Sequence, residues 1–267
     1  MNREEYLVIF RPQKLDNLRC ATYDLSWLLS RDYTMTSSLK LVGDRYRLHR
    51  VGRAAVKRAT VPDRARSERA AREVTGLEQL RDAVVWIDGF NILITAERAL
   101  RGDPILRCRD GVIRDIAGVH GTYRRGRHTN AALEQINAAL QDLGVSEVRW
   151  LFDQPVSNSG RAAELARRYG EAEVVADPDQ DLIHASEEVI VISGDGEVIE
   201  RSSRWFNLLA HLISGGYLSR DCVIKSVQDD AQDDAQDHLA DNLTSESLIN
   251  SNEAVELPWL IDLSGQG

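Results

Sequence analysis

The chain has 267 residues, enough for one well-packed core with a small appendage, and its 43% hydrophobic and 28% charged residues are ordinary for a globular protein. No apolar stretch reaches membrane-spanning length and the start Met1-Asn2-Arg3-Glu4-Glu5 lacks a signal-peptide core, so the expectation is a cytoplasmic protein without membrane contact. The net charge of −9 hides an asymmetry: Lys40 to Glu73 holds eleven Lys/Arg against four Asp/Glu, and from Ser226 onward there are ten Asp/Glu and no Lys or Arg.

Three regions follow from these shifts: a basic helical front over 1–81, an α/β region over 82–227 and an acidic tail over 228–267. In the front, Leu25, Leu28 and Leu29 share one face of a helix expected over 22–39. A second helical stretch carries Arg50, Arg53, Lys57 and Arg58; Val61-Pro62-Asp63 breaks it, and Arg64, Arg66, Arg69 and Arg72 lie on a third. Arginines at this spacing form a cationic stripe. It suits phosphate-backbone contact through Arg45, Arg53 and Lys57 with Tyr46 for stacking, or else a solvated helix face, or one docked on acids of the same chain.

The α/β region opens on Val84-Val85-Trp86-Ile87-Asp88-Gly89-Phe90-Asn91, an apolar run that stops at Asp-Gly and restarts two residues later. That is the pattern of a buried parallel strand feeding a tight turn and a helix, here about 90–101. Ile105 to Arg114 reads as a hairpin with an Asp110-Gly111 turn. The next loop, Gly118 to His128, is glycine-rich, basic and aromatic, and suits either substrate phosphates or plain exposure. A helix over Asn130–Leu143 precedes the strand Val148-Arg149-Trp150-Leu151-Phe152, which runs into Asp153. Pro155 to Arg161 starts another helix whose Ser- and Asn-rich entrance, with Arg161, could receive an anion or merely be capped.

A short strand ending at Ala176 leads to Asp177-Pro178-Asp179-Gln180-Asp181, three acids at a helix entrance. The strand Val189–Ile192 leads to Ser193-Gly194-Asp195, and the helix after Gly196 is expected to continue through Trp205, Phe206, Leu208, Leu209 and Leu212 to Gly215-Gly216. Cys222-Val223-Ile224 reads as a last strand. The tail begins with an acidic local repeat expected to be disordered and ends in Val255 to Leu263, apolar enough to dock. Cys20, Cys108 and Cys222 are odd in number and widely spaced, which excludes a disulfide framework and a CxxC zinc site; they are expected as reduced, mostly buried thiols.

Three strand-like runs thus end at or near an Asp. Carboxylates gathered on one sheet edge repel one another unless a cation joins them. The ordered set Ile87-Asp88-Gly89-Phe90-Asn91, Phe152-Asp153, Asp177 to Asp181 and Ile192 to Glu197 resembles the NYN branch of the PIN-like nucleases over roughly residues 82–227. With its basic front and Val42-Gly43-Asp44-Arg45-Tyr46, the whole chain looks like an uncharacterised prokaryotic family whose second half is PIN-like.

The resemblance implies a mostly parallel sheet flanked by helices, and a cluster of acids that binds Mg²⁺ or Mn²⁺ and cleaves RNA. Asp88, Asn91, Asp153, Asp195 and Asp181, or else Asp179, match its catalytic positions, with Asp88, Asp153 and Asp195 as metal ligands. Glu197 departs from the pattern, which usually has a second Asp there, and the hairpin and basic loop between Gly102 and His128 have no assigned counterpart. His120, Arg124 and Arg127 are candidates for phosphates near the scissile bond. The competing expectation is a catalytically inactive PIN-like module that binds RNA through the front. A phosphatase of the Asp-x-Asp type is disfavoured by Asp88-Gly89-Phe90, and a Rossmann nucleotide site by the lack of GxGxxG after any strand. Substrate identity and homo-oligomerisation stay open.

Overall fold

The computed structural model describes residues 10–116, 123, 126–218 and 260–264. Four helices come first: α1 (Pro12–Leu29), α2 (Met35–Arg45), α3 (Arg50–Ala59) and α4 (Asp63–Arg72). Leu18, Ala21 and Leu25 recur every three or four residues, so α1 has one apolar face, which is buried with Val42 of α2 and Val51, Ala55 and Val56 of α3. The single helix expected over 22–39 is two. The chain breaks between Leu29 and Met35, where Asp32 takes a left-handed conformation (φ 64°) that a continuing helix cannot hold. Cys108 is buried as expected, but Cys20 is exposed, on the outer face of α1.

Downstream come β1 (Val84–Asp88), α5 (Gly89–Arg101), β2 (Ile105–Arg107), β3 (Ile113–Asp115), α6 (Thr129–Asp142) and β4 (Glu147–Asp153). The order continues with α7 (Ser159–Ala166), β5 (Glu171–Val175), α8 (Pro178–Ile183), β6 (Val189–Ile192), α9 (Gly196–Arg201), α10 (Leu208–Ser214) and β7 (Leu260–Asp262). The main sheet has the order β5-β4-β1-β6 and every pairing in it is parallel. Its strands are apolar on both faces, as helix-covered parallel strands must be. Val85, Ile87, Trp150 and Ile192 pack under α5, α6 and α10, while Leu151, Val191 and the half-buried Trp86 meet α8, α9 and Trp205 on the other side.

After β1 the chain moves outward on one side to β4 and β5, then returns to place β6 on the other side of β1. Strand order reverses beside β1, and open α/β sheets take ligands at the carboxyl ends of strands at such a point. Asp88 ends β1, Asp153 ends β4, and Ser193 follows β6 directly.

The expected hairpin is present. β2 and β3 are antiparallel around Asp110-Gly111, with Gly111 at φ +80° as a tight turn demands. It belongs to a second sheet, β3-β2-β7, in which the end of the acidic tail pairs in parallel with β2. Ile261 and Leu263 are buried with Leu106 and the α1 and α3 side chains, so this part of the tail is built into the helical front. The helix expected to run from Gly196 through Leu212 stops at Arg201. Trp205 instead bridges Val191 and Glu73 in an extended conformation, because its N–H and carbonyl bond to Arg72 and Val74. The expected strand at 222–224, the acidic repeat, and most of the basic loop, including His120 and Arg124, lie outside the described residues. Among the described residues no helix is long and apolar enough to cross a membrane.

Candidate functional site

The two glycine motifs meet at the switch point. Asp88 caps α5, with Oδ1 accepting the Asn91 N–H (3.3 Å), and its Oδ2 accepts the Ser193 hydroxyl (2.7 Å). Ser193 Oγ in turn accepts the Asp195 N–H (2.9 Å), and Asn91 Oδ1 accepts the Gly194 N–H (3.2 Å). Both glycines are dictated by proximity. A Cβ on Gly89 would lie 2.6 Å from the Phe152 ring and 2.8 Å from the Leu151 carbonyl, and one on Gly194 would lie 2.6 Å from Asn91 Oδ1. Asp-Gly-x-Asn and Ser-Gly-Asp are therefore two halves of one hydrogen-bonded joint between β1 and β6.

Above this joint is a cavity of about 430 Å³. Six aspartates line it: Asp88, Asp115, Asp153, Asp177, Asp179 and Asp195. Asn91 joins them, and among the described residues Arg58 is the one cationic side chain in the lining. Burial dominates the electrostatics at Asp88, which is 7% exposed; with Asp179 and Asp195 nearby, and despite the Ser193 hydrogen bond, its pKa is pushed up to about 7. Asp179 keeps exposed surface, but partial desolvation and the charges of Asp195, Asp177 and Asp153 raise it to about 6. Asp153 is raised too, by desolvation and then by Asp177. At all three, burial is the larger cause and the neighbouring carboxylates add to it.

Like Asp88, two further acids have plain structural work. Asp177 caps α8 through the Gln180 N–H (3.1 Å), and Asp195 caps α9 through the N–H groups of Glu197 (2.8 Å) and Val198 (3.4 Å). Among the described residues, no three His, Cys, Asp or Glu side chains stand together so as to hold a metal ion. Strand register contributes to the spread: Asp88 is level with Leu151, so Asp153 lies two residues further along β4, about 7 Å.

The expected residues separate into those the fold gathers and those it does not. Asp88, Asn91, Asp153 and Asp195 share the cavity. Asp181 is exposed and outside the lining, and Asp179 stands there in its place, because capping by Asp177 turns position 179 toward the strand ends. Glu197 pairs with Arg201 (2.9 Å) in solvent. Arg127 and Arg161 are exposed and outside the lining, as is Lys57 on α3. Arg45 is exposed, 3.6 Å from Asp24, and Tyr46 donates its hydroxyl to the same carboxylate (2.8 Å).

Arg53 faces inward rather than outward. It donates to the carbonyls of Leu39, Lys40 and Leu48 and to Asp44 (2.7 Å), and a Cβ on Gly43 would occupy its guanidinium. Arg69 likewise docks on Asp110 (2.6 Å) and Glu200 (3.0 Å). Asp110 is also held by Arg114 (2.7 Å), whose Nε donates to the Gly194 carbonyl (2.6 Å). Burial alone would raise Asp110, but the two guanidiniums hold it below the usual carboxylate range. This buried ion triad ties the helical front to the Ser193-Gly194-Asp195 turn. Asp115, Arg58 and the Arg69–Asp110 pair carry no local sequence signal, because their partners are remote in the chain.

The sequence profile of DUF5616, a domain of unknown function, matches residues 77–211, which hold the whole main sheet and most of the cavity wall. The chain belongs to the DUF5616 family. Ahead of that DUF5616 region, residues 17–72 match DUF434, a protein of unknown function, and these residues are the helical front. The chain is similar to an uncharacterized protein of Methanocaldococcus jannaschii, 29% identical over 147 residues, covering 55% of this chain and 70% of the relative. No solved structure gives a significant match.

Proposed function

We propose that this chain is a PIN-like, divalent-metal-dependent nuclease that hydrolyses phosphodiester bonds in RNA. The single observation that carries the reading is the cavity at the switch point, where Asp88, Asp153, Asp179 and Asp195 stand together and burial, then neighbouring charge, raises the carboxyls of Asp88, Asp153 and Asp179. The donor set is all oxygen, which suits Mg²⁺ or Mn²⁺ rather than a softer metal. Asp88, Asp153 and Asp195, joined by Asp179, are the residues that would hold the ion. A bound divalent ion would supply a more acidic water and neutralise charge on the leaving oxygen.

The chain's own residues supply the rest. Ser193 and Asn91 fix the Asp88 carboxylate and the Gly194 turn, so the acid that ends β1 cannot rotate away. Phe90, Ile94 and Val156 give the cavity an apolar side. The acids do not stand in ligating positions in the structure, and this favours a second reading, a non-catalytic RNA-binding module. That module would bind RNA without metal and with strong salt dependence.

The test is cleavage of a mixed RNA pool with Mn²⁺, with EDTA, and by Asp88→Asn. The nuclease reading expects cleavage by the wild type alone, lost with chelator and reduced at least about a hundredfold in the variant, as when a group that stabilises the transition state is removed. Equal cleavage by a folded Asp88→Asn protein would exclude it, and metal-independent binding without cleavage would favour the module.

A further inference from the structure

We infer that the pocket between the start of α1 and the α2–α3 turn binds a phosphate monoester carrying one small ring, the chemistry of a mononucleotide. The inference stands apart from the proposed nuclease reading, since it needs neither a metal ion nor the aspartates. The pocket lies in the helical front and has a volume of about 230 Å³. Among the described residues its lining holds three side chains that carry or can take a positive charge, Lys14, Arg47 and His49, and no carboxylate. All three are exposed, so a ligand can reach them.

These cations are left unneutralised where their neighbours are not. Arg45 lies 3.6 Å from Asp24, and Arg53 binds Asp44 at 2.7 Å. Lys14, Arg47 and His49 form no ion pair among the described residues. The backbone at Arg47 sharpens the contrast. The Leu48 N–H donates back to the Gly43 carbonyl (2.8 Å), which closes α2 with Arg47 in the left-handed conformation at φ 50°. Glycine takes that position without strain, so the fold disfavours an arginine there, yet the turn sets this one in the pocket lining. The start of α3 adds to the positive field. No side chain caps it at His49 and no acid stands in its first turn, so its first N–H groups keep their partial charge beside the wall formed by His49 and Gly52.

The ligand class follows from this balance. Two permanent cations, a histidine and a helix start exceed what a single carboxylate or an internal phosphodiester would match. A phosphate monoester carries about −1.5 to −2 near neutrality and three acceptor oxygens. The remaining wall suits a ring: Leu18 and Leu48 are apolar, and the Tyr46 ring is held in place by its hydroxyl, which donates to Asp24 (2.8 Å). Asn17 offers an amide to the ring's polar edge. Pockets for drug-sized ligands begin near ~300 Å³, so this one takes one phosphate and one ring. All of the lining but Lys14 falls within the 17–72 match, which gives the DUF434-like front a ligand of its own.

The test is isothermal titration calorimetry without divalent ions, with uridine monophosphate, uridine and a 5′-phosphorylated hexauridylate as probes. The wild type should bind the monophosphate and not uridine. Arg47→Gly and Lys14→Gln should each weaken it about tenfold, the loss of one charge-assisted hydrogen bond. Arg47→Gly should also melt no lower than the wild type, because its backbone conformation suits glycine, so weaker binding there cannot come from unfolding. A hexamer that binds as well as the monophosphate, and loses affinity when its terminal phosphate is removed, would identify the ligand as a strand end. A hexamer that binds poorly would identify it as a free nucleotide. No binding of the monophosphate at millimolar concentration, equal binding of uridine, a hexamer indifferent to its terminal phosphate, or affinity unchanged in both variants would overturn the assignment. None of these outcomes depends on cleavage in Mn²⁺, so the nuclease reading stands or fails separately.

Discussion

Asp88→Asn should make this protein more stable at neutral pH, and the gain should disappear in acid. Folding moves the Asp88 carboxyl from an ordinary 3.8 to about 7. A shift of about three units corresponds to roughly 4 kcal/mol of disfavoured ionisation at about 1.4 kcal/mol per unit. Because the folded value is raised, the penalty is absent below the unfolded pKa, grows as pH rises between the two values, and is complete above the folded one. The amide removes it but misfits the joint: one of the donors at Asn91 and Ser193 would face an NH₂ group, a loss of about 1–2 kcal/mol. The net expectation above neutrality is a variant more stable by about 2 kcal/mol, or about 4–8 °C in melting temperature for a domain of this size. Below about pH 4 the same variant should be the less stable protein, with only the misfit remaining. Chemical denaturation of both proteins at several pH values, without divalent ions, measures the difference directly. A stability difference that stays flat between about pH 4 and pH 8 would refute the claim that burial and neighbouring acids disfavour the Asp88 charge.

Two further perturbations address the framework around the cavity. Asp110→Asn leaves Arg69 and Arg114 buried without their shared carboxylate, and denaturation should report a loss of about 3–5 kcal/mol. Deleting residues 260–267 removes the buried side chains of Ile261 and Leu263, worth about 3–6 kcal/mol together. Limited proteolysis of that truncation should open α1 to α4 before the main sheet, and a cleavage pattern like that of the full chain would show that β7 does not hold the front.

What could be read from the sequence was local. The run Val84 to Ile87 ending in Asp88-Gly89 is apolar on both faces and terminates in turn chemistry, so β1 and its helix follow from adjacent residues. Asp110-Gly111 gave the hairpin for the same reason. Trp205 shows the boundary of this method. Its spacing with Leu208, Leu209 and Leu212 suits a helix, and only its backbone bonds to Arg72 and Val74, with those of Arg204 and Phe206 to Val191, make it extended. The arginine stripe misleads similarly, since periodicity places Arg53 and Arg69 on helix faces but cannot see Gly43 clearing room for one or Asp110 waiting for the other. At the site, the acids that end strands were legible, whereas the choice of Asp179 over Asp181 depends on a cap in a six-residue helix. Arg58 was legible only as one more basic residue, because nothing within ten residues of it announces an acidic cavity.

The pairing of β7 with β2 also sets the sequence of events in folding. Arg19 donates to the Asp262 carbonyl across 243 residues of chain, one of the longest loops this fold has to close. The main sheet needs only segments between β1 and β6, so it can assemble while β2 still has one open edge. Contacts of such long range form slowly. The wall that bears Arg58 and Asp115 rests on that same small sheet and on the helices it anchors, so a newly made chain would gather the acids at the main-sheet strand ends first and acquire Asp115 and Arg58 last.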